Sequence, residues 1–250
     1  MVTIEQKLIN QIPCLEVINE QLKNEKLPLV IFYHGFESTN DRNVQYAYLL
    51  AEQGFRVVLP EIIHHGSRNP LSSKKELNLS FWNIIFTTID EMEKIKEHYD
   101  KENLLKIEKI FVAGTSMGAM IMYGALVKYP WITAGASFMG MPSFTLFAEH
   151  LLSTVDTSLI TKEIKEQLIE ECKKRDITNH IDALNNRPLF IWHGRQDQTV
   201  PITLVETFYQ TIKPLYKTKK ELQFIVDEKA GHFFPNNGVY SFVNWMNEHN

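Results

Sequence analysis

Between the apolar run Lys109-Ile110-Phe111-Val112-Ala113 and the helix-like stretch Ala119 to Lys128 the chain reads Gly114-Thr115-Ser116-Met117-Gly118. Strand, sharp turn and helix follow one another within a few residues, with a serine at the apex. That context constrains the fold strongly. A serine there is forced into a strained backbone conformation, and only small flanking residues let strand and helix approach so closely. The turn holds the hydroxyl clear of both elements. The following helix aims its unpaired N–H groups and positive dipole end at any negative charge formed nearby.

The rest of the chain supplies a sheet for such a turn. β-rich apolar runs alternate with helical patterns, the signature of a doubly wound, mostly parallel sheet with helices on both faces. Ile12 to Asn19 reads as an edge strand and the continuously apolar Leu29 to Tyr33 as a fully buried one. Asn43 to Gln53 follows as a helix closed by Gly54, then Phe55 to Leu59 as a strand stopped by Pro60. After a long loop, Ser80 is expected to cap a helix whose residues Phe81, Ile84, Ile85, Thr88, Ile89, Met92 and Ile95 recur at helical spacing. Trp131 to Phe138, Leu189 to Trp192 and Leu222 to Val226 supply further strands, and Val239 to Met246 a last helix. Ligands of such sheets collect at the carboxyl ends of the strands.

At 250 residues with 44% hydrophobic content, the chain suits one α/β domain spanning residues 1–250. The segment 143–186 is too long for a plain crossover. Leu159, Ile160, Ile164, Leu168 and Cys172 fall on one helical stripe, with Lys162, Glu163, Lys165, Glu166, Glu170 and Glu171 largely opposite. A helical insert is expected there, forming a cap over the serine; the same stripe also suits a homodimer face or a further core-covering element.

Charge and cysteine usage exclude other classes. A net charge of -4 argues against nucleic acid or an anionic membrane as partner, and the clusters Lys173-Lys174-Arg175 and Lys217 to Lys220 read as solvated faces. Cys14 and Cys172 stand far apart with no C-x-x-C, which suits a reducing cytoplasm and suggests no disulfide framework. Met1 to Asn10 has no signal-peptide core, and no apolar run reaches the roughly 18 residues of a membrane span.

A serine hydroxyl is a poor nucleophile at neutral pH, so chemistry requires a base and a group that orients that base. Asp197, within His193-Gly194-Arg195-Gln196-Asp197-Gln198-Thr199-Val200-Pro201, follows one strand, and Gly231-His232-Phe233 follows the next. The order Ser116, Asp197, His232 fits a nucleophile, an orienting carboxylate and a base carried on strands whose carboxyl ends are shared. Asp227 and Asp182 compete for the carboxylate role, but neither sits in a glycine-containing loop after the strand preceding the histidine. The remaining histidines lack H-E-x-x-H or similar spacing, so no catalytic metal is expected. A histidine base is lost through protonation near the ordinary range of about 6 to 7, which predicts a fall in activity on that side. After the strand Leu29 to Tyr33 comes His34-Gly35-Phe36, where the N–H of Phe36 can join that of Met117 as an oxyanion donor. Met141, Phe144 and Phe147, with His65, are candidate pocket residues, although such aromatic and methionine positions are as often core.

Taken together, His34-Gly35-Phe36, the serine turn, the Asp197 loop and Gly231-His232 resemble the α/β-hydrolase superfamily over nearly the whole chain. Pro60-Glu61 with His65-Gly66-Ser67-Arg68 resembles the corresponding loop of small bacterial esterases grouped with prolyl oligopeptidase-like and dienelactone hydrolase-like enzymes, with Glu61 where aspartate is commoner. The resemblance implies cofactor-free hydrolysis of small carboxylic esters of short to medium or aromatic acyl groups. Peptidase, thioesterase and lactonase chemistry stand nearby, and a non-catalytic small-ligand receptor on the same scaffold is the alternative from another class.

Overall fold

The computed structural model describes residues 1–154, 161–218 and 220–250. Its centre is an eight-stranded sheet in the order β1-β2-β4-β3-β5-β6-β7-β8. These strands are β1 (Val2–Ile9), β2 (Ile12–Asn19), β3 (Leu27–Tyr33), β4 (Arg56–Pro60), β5 (Leu105–Thr115), β6 (Ala134–Phe138), β7 (Leu189–Gly194) and β8 (Leu222–Asp227). From β4 to β8 the neighbours run parallel. β1 pairs antiparallel with β2, and β2 antiparallel with β4.

Strand alternation splits the core into two layers. In β3 every residue is buried, yet Leu29, Ile31 and Tyr33 pack on one face while Val30 and Phe32 pack on the other. The first face is covered by α3 (Phe81–Lys101) and α4 (Met117–Lys128), the second by α1 (Val44–Glu52) and α8 (Asn236–Glu248). A strand buried on both faces must read as a continuous apolar run, which is why this one was legible. Helix α4 is buried from Met117 through Leu126 and so lacks a polar face in that stretch, as expected of a helix in the middle of the core.

Several boundaries differ from the sequence expectation. Ile12–Asn19 is not the edge: β1 lies outside it, joined by a tight turn at Asn10 and Gln11, both with positive φ. β1 escapes recognition because its apolar Ile4 and Leu8 face solvent and its charged Glu5 and Lys7 face inward, the reverse of the usual pattern. The strand expected from Trp131 begins at Ala134, since the Thr133 hydroxyl accepts from Ile110 N and thus replaces a regular ladder contact. Ser80 makes no side-chain cap; it is helical and joins α3 to a short α2 (Lys74–Leu79), which Ser73 caps by accepting from Glu76 N at 3.2 Å. The long loop after Pro60 thus contains a helix of its own.

Between β6 and β7 the chain forms α5 (Phe144–Thr154) and α6 (Lys162–Arg175). Of the expected stripe, Cys172 is buried, Leu168 is half-buried and Ile164 is exposed; Leu159 and Ile160 lie outside the described residues, as does Lys219 of the basic cluster. Buried Asp176 ties the two helices together. Its carboxylate accepts from Thr145 N at 2.8 Å, at the start of α5, and from the Ser143 hydroxyl, while its other oxygen accepts from Thr178 N at 2.9 Å. A further helix, α7 (Ile202–Ile212), follows β7 and packs on the same face as α4 through Phe208 and Tyr123.

A buried ion pair secures the antiparallel end of the sheet. Arg56 donates to Glu16 at 2.9 Å and to the Lys23 carbonyl, and Lys7 reaches the same carboxylate at 2.6 Å. Burial pushes the Glu16 carboxyl up, but these donors outweigh it and hold it below the usual range. Removing one partner strands the other in a dry site. Glu16→Ala is therefore expected to destabilise the protein by about 3–5 kcal/mol, read as a lower urea midpoint. A midpoint unchanged from the parent protein would refute this account of the pair. Among the described residues no helix is long and apolar enough to cross a membrane.

Candidate active site

The serine turn is built by close approach. Ser116 has φ 52° and ψ -115°, between the end of β5 and the first residue of α4. A Cβ on Gly114 would lie 2.2 Å from the Gly118 carbonyl carbon, and one on Gly118 would lie 2.2 Å from the Tyr33 carbonyl oxygen. Any side chain there would push the helix off the sheet. The Ser116 N–H donates to Phe138 O at 2.8 Å, which pins the turn to β6.

The structure brings Ser116, His232 and Asp197 together. Ser116 Oγ lies 2.9 Å from His232 Nε2, and His232 Nδ1 lies 2.7 Å from Asp197 Oδ2. An ionised carboxylate only accepts, so Nδ1 carries the proton and donates to it, leaving the Nε2 lone pair for the serine hydroxyl. Asp197 is held from the other side as well: Oδ1 accepts from Thr199 N and Val200 N, both at 2.9 Å. Buried His193, four residues earlier at the end of β7, donates from Nε2 to Val200 O at 2.8 Å and reaches Asp197 Oδ2 at 3.4 Å. Burial alone would raise the Asp197 carboxyl, but the hydrogen bonds from His193, His232 and Val200 N win and hold it well below the usual carboxylate range.

Two loops from neighbouring strands have to meet for this, and the backbone shows how. Arg195 N donates to Asp227 O at 2.8 Å and Gln196 N to Ala230 O at 2.9 Å. A Cβ on Gly194 would come within 2.4 Å of the Ala230 and Gly231 carbonyl oxygens, so glycine permits the contact. Asp227, the competing carboxylate, is occupied elsewhere: its Oδ1 accepts from Lys229 N and Ala230 N and shapes the turn that delivers His232. Asp182 lies in a short 3-10 turn after α6, where its carbonyl accepts from Asn185 N.

The His34-Gly35-Phe36 loop borders the serine. A Cβ on Gly35 would sit 3.5 Å from Ser116 Cβ. His34 is fully buried, and its Nδ1 donates to the carbonyl of Gly35 at 2.8 Å, which also accepts from Ser38 N at 3.2 Å. That carbonyl belongs to the peptide whose other end is the Phe36 N–H, so fixing one fixes the other. On its far side His34 Nε2 meets Ile62 N at 3.1 Å and Glu61 Oε1 at 2.9 Å. Gly66, with φ 52°, folds over that carboxylate so closely that a Cβ would lie 2.3 Å from Glu61 Oε2. In the sequence His34 merely precedes Gly35-Phe36 and Glu61 stands where aspartate is commoner; nothing in the linear spacing reveals that they support one peptide plane.

The candidate pocket residues divide. Met141 and Phe144 are buried, with Phe144 against Trp82, and belong to the core as they stand. Phe147 is half-buried against Phe81 and Trp82, and half-buried Phe36 packs edge-on to Phe81 and His65. His65 is itself buried, donating from Nδ1 to Ile63 O at 3.0 Å, and burial depresses its pKa, partly offset by that carbonyl.

The chain is similar to several known proteins. A Bacillus subtilis protein named "Putative esterase YitV" is 39% identical over 251 residues, covering 98% of both chains. "Esterase YjfP" of Escherichia coli is 34% identical over 203 residues, covering 80% of this chain and 81% of its own. Among solved structures, TT1662 from Thermus thermophilus superposes with a TM-score of 0.79 at 20% identity, covering all of this chain and 98% of that one. The profile of the Prolyl oligopeptidase family matches residues 86–248, which contain Ser116, Asp197 and His232. With its mostly parallel sheet and a match over more than half its length, the chain belongs to the prolyl oligopeptidase family of α/β-hydrolases.

Proposed function

We propose that the protein is a serine hydrolase of small carboxylic esters, with Ser116 as nucleophile, His232 as general base and Asp197 as the group that orients and charge-balances the imidazole. The observation that carries this reading is the unbroken hydrogen-bonded chain from Ser116 Oγ through both ring nitrogens of His232 to Asp197. As Ser116 attacks an acyl carbonyl, His232 Nε2 takes the hydroxyl proton and Asp197 stabilises the imidazolium. The N–H groups of Met117, first in α4, and of Phe36 receive the oxyanion, each such donor being typically worth about 100-fold to 1,000-fold in rate. The imidazolium then protonates the departing alcohol. Water repeats the sequence on the acyl-enzyme, releasing the acid and restoring the serine.

Substrate preference follows from the rim. Half-buried Phe36, in the loop that borders Ser116, packs on Phe81, and Phe147 packs on the same ring; an apolar rim of this kind suits a short to medium or aromatic acyl group. We assign the segment 143–186, with α5 and α6, as a cap over the serine, the end of α6 being tied to the start of α5 by Asp176. Ester rather than peptide hydrolysis is favoured because the two curated relatives are both named as esterases.

A fluorophosphonate probe and a panel of p-nitrophenyl esters and peptide p-nitroanilides test the proposal. Covalent labelling of Ser116 with turnover of the esters is the expected result. Labelling with faster anilide cleavage would turn the reading to a peptidase. Ligand binding without labelling or turnover would make the protein a receptor.

A further inference from the structure

We propose that the protein forms a two-fold dimer through the free edge of β1, with Gln6 on the axis and one sheet running through both copies. β1 is the outermost strand, and it exposes Ile4 and Leu8 on the same face of the sheet, 50% and 71% accessible. A long edge strand with exposed apolar residues is a template for pairing with another strand.

The ladder dictates which backbone groups are free. Glu20 N donates to Met1 O at 2.9 Å, and the turn at Asn10 and Gln11 closes on the pair Ile9 and Ile12. In an antiparallel pair, residues alternate between facing their partner and facing away. The odd-numbered residues of β1 therefore hydrogen-bond to β2, while Val2, Ile4, Gln6 and Leu8 turn their N–H and C=O groups outward. A second β1 joined antiparallel must match even-numbered residues with even-numbered ones.

Charge then selects among the registers with long overlap. An axis at Glu5 sets Glu5 against itself, an axis at Lys7 sets Lys7 against itself, and an axis at Ile4 sets Glu5 against Thr3 and leaves it without an opposite charge. Like charges directly opposite one another destabilise a strand pair. Only the axis at Gln6 places Glu5 opposite Lys7 of the second copy, twice by symmetry, and brings Ile4 opposite Leu8 on the exposed face. One further observation points the same way. Within the chain Glu5 lies directly across from Glu16, whose carboxylate already holds Lys7 and Arg56, and Glu5 has no ion-pair partner of its own among the described residues. The second copy supplies it.

The proposal is independent of the hydrolase reading, because none of these residues lies in the proposed catalytic machinery and its readout is mass. Sedimentation velocity of the full chain through the micromolar range is expected to show a dimer. Glu5→Lys is expected to weaken it by about tenfold or more, since it places lysine opposite lysine at two sites. Gln6→Cys supplies a test that leaves every charge in place: facing residues of a hydrogen-bonded pair are about 5.5 Å apart at Cα, within disulfide reach. Mild oxidation should therefore give a covalent dimer, whereas Thr3→Cys should not. A wild-type chain that stays monomeric, or a dimer that ignores Glu5→Lys and leaves Gln6→Cys uncrosslinked, overturns the proposal, the latter pointing to the opposite edge at β8.

Discussion

Ser116→Ala is expected to lower turnover of p-nitrophenyl acetate by a factor on the order of a million, as loss of the nucleophile does in other triads. The fold should survive it. Alanine removes one oxygen from a half-buried position whose backbone is already set by the Phe138 carbonyl and by the close contact of Gly118 with Tyr33. Loss of rate with an unchanged thermal midpoint thus reports chemistry, and loss of the fluorophosphonate label should accompany it. Hydrolysis that persists in a folded Ser116→Ala protein would show that the nucleophile lies elsewhere. His232 would then be a structural residue.

Asp197→Asn should cost about ten-thousand-fold in turnover, through the tautomer it imposes. The side-chain oxygen of the new asparagine has to occupy the Oδ1 position, because Thr199 N and Val200 N both donate there. Its amide N–H₂ group is then left facing His232 Nδ1, where the carboxylate oxygen had been. A donor at that point forces Nδ1 to accept and moves the ring proton to Nε2, which can no longer take a proton from Ser116. Asp227→Asn is the control, since that carboxylate shapes a turn and does not touch His232. Equal losses in the two variants would mean that Asp197 acts only through loop structure.

The same substitution has a signature in stability. The folded-state pKa of Asp197 lies below its unfolded value, so its contribution is fully present above the ordinary carboxylate range and disappears as pH falls through and beneath it. The stability gap between the parent protein and Asp197→Asn should accordingly narrow below about pH 4. A gap that widens on acidification would contradict the hydrogen-bonded, ionised carboxylate.

Much of this site could be read from the chain because its parts are locally encoded. Gly114 and Gly118 flank Ser116 for a steric reason visible as spacing, and Asp197 and His232 each follow an apolar run ending at a strand's carboxyl end. β3 declared itself by burial on both faces. Where burial is one-sided and reversed, as in β1, the pattern misleads, and Ile12–Asn19 then looks like an edge that it is not. Ser80 shows a second kind of failure: a serine before a helical stripe reads as a cap, yet Ser73 starts the preceding turn and leaves Ser80 inside a helical junction.

Residue types and their order along the chain were enough to establish the sheet-and-helix alternation, the sharp serine turn and the loops that carry Asp197 and His232, because backbone sterics and hydrophobic periodicity act over short stretches. The pairing of Asp197 with His232 in place of Asp227, the support of the Gly35–Phe36 peptide by His34 and Glu61, and the burial of Met141 and Phe144 came only with the folded chain. Each depends on hydrogen bonds or contacts between segments distant in sequence, and their geometry is set by how strands and helices pack together.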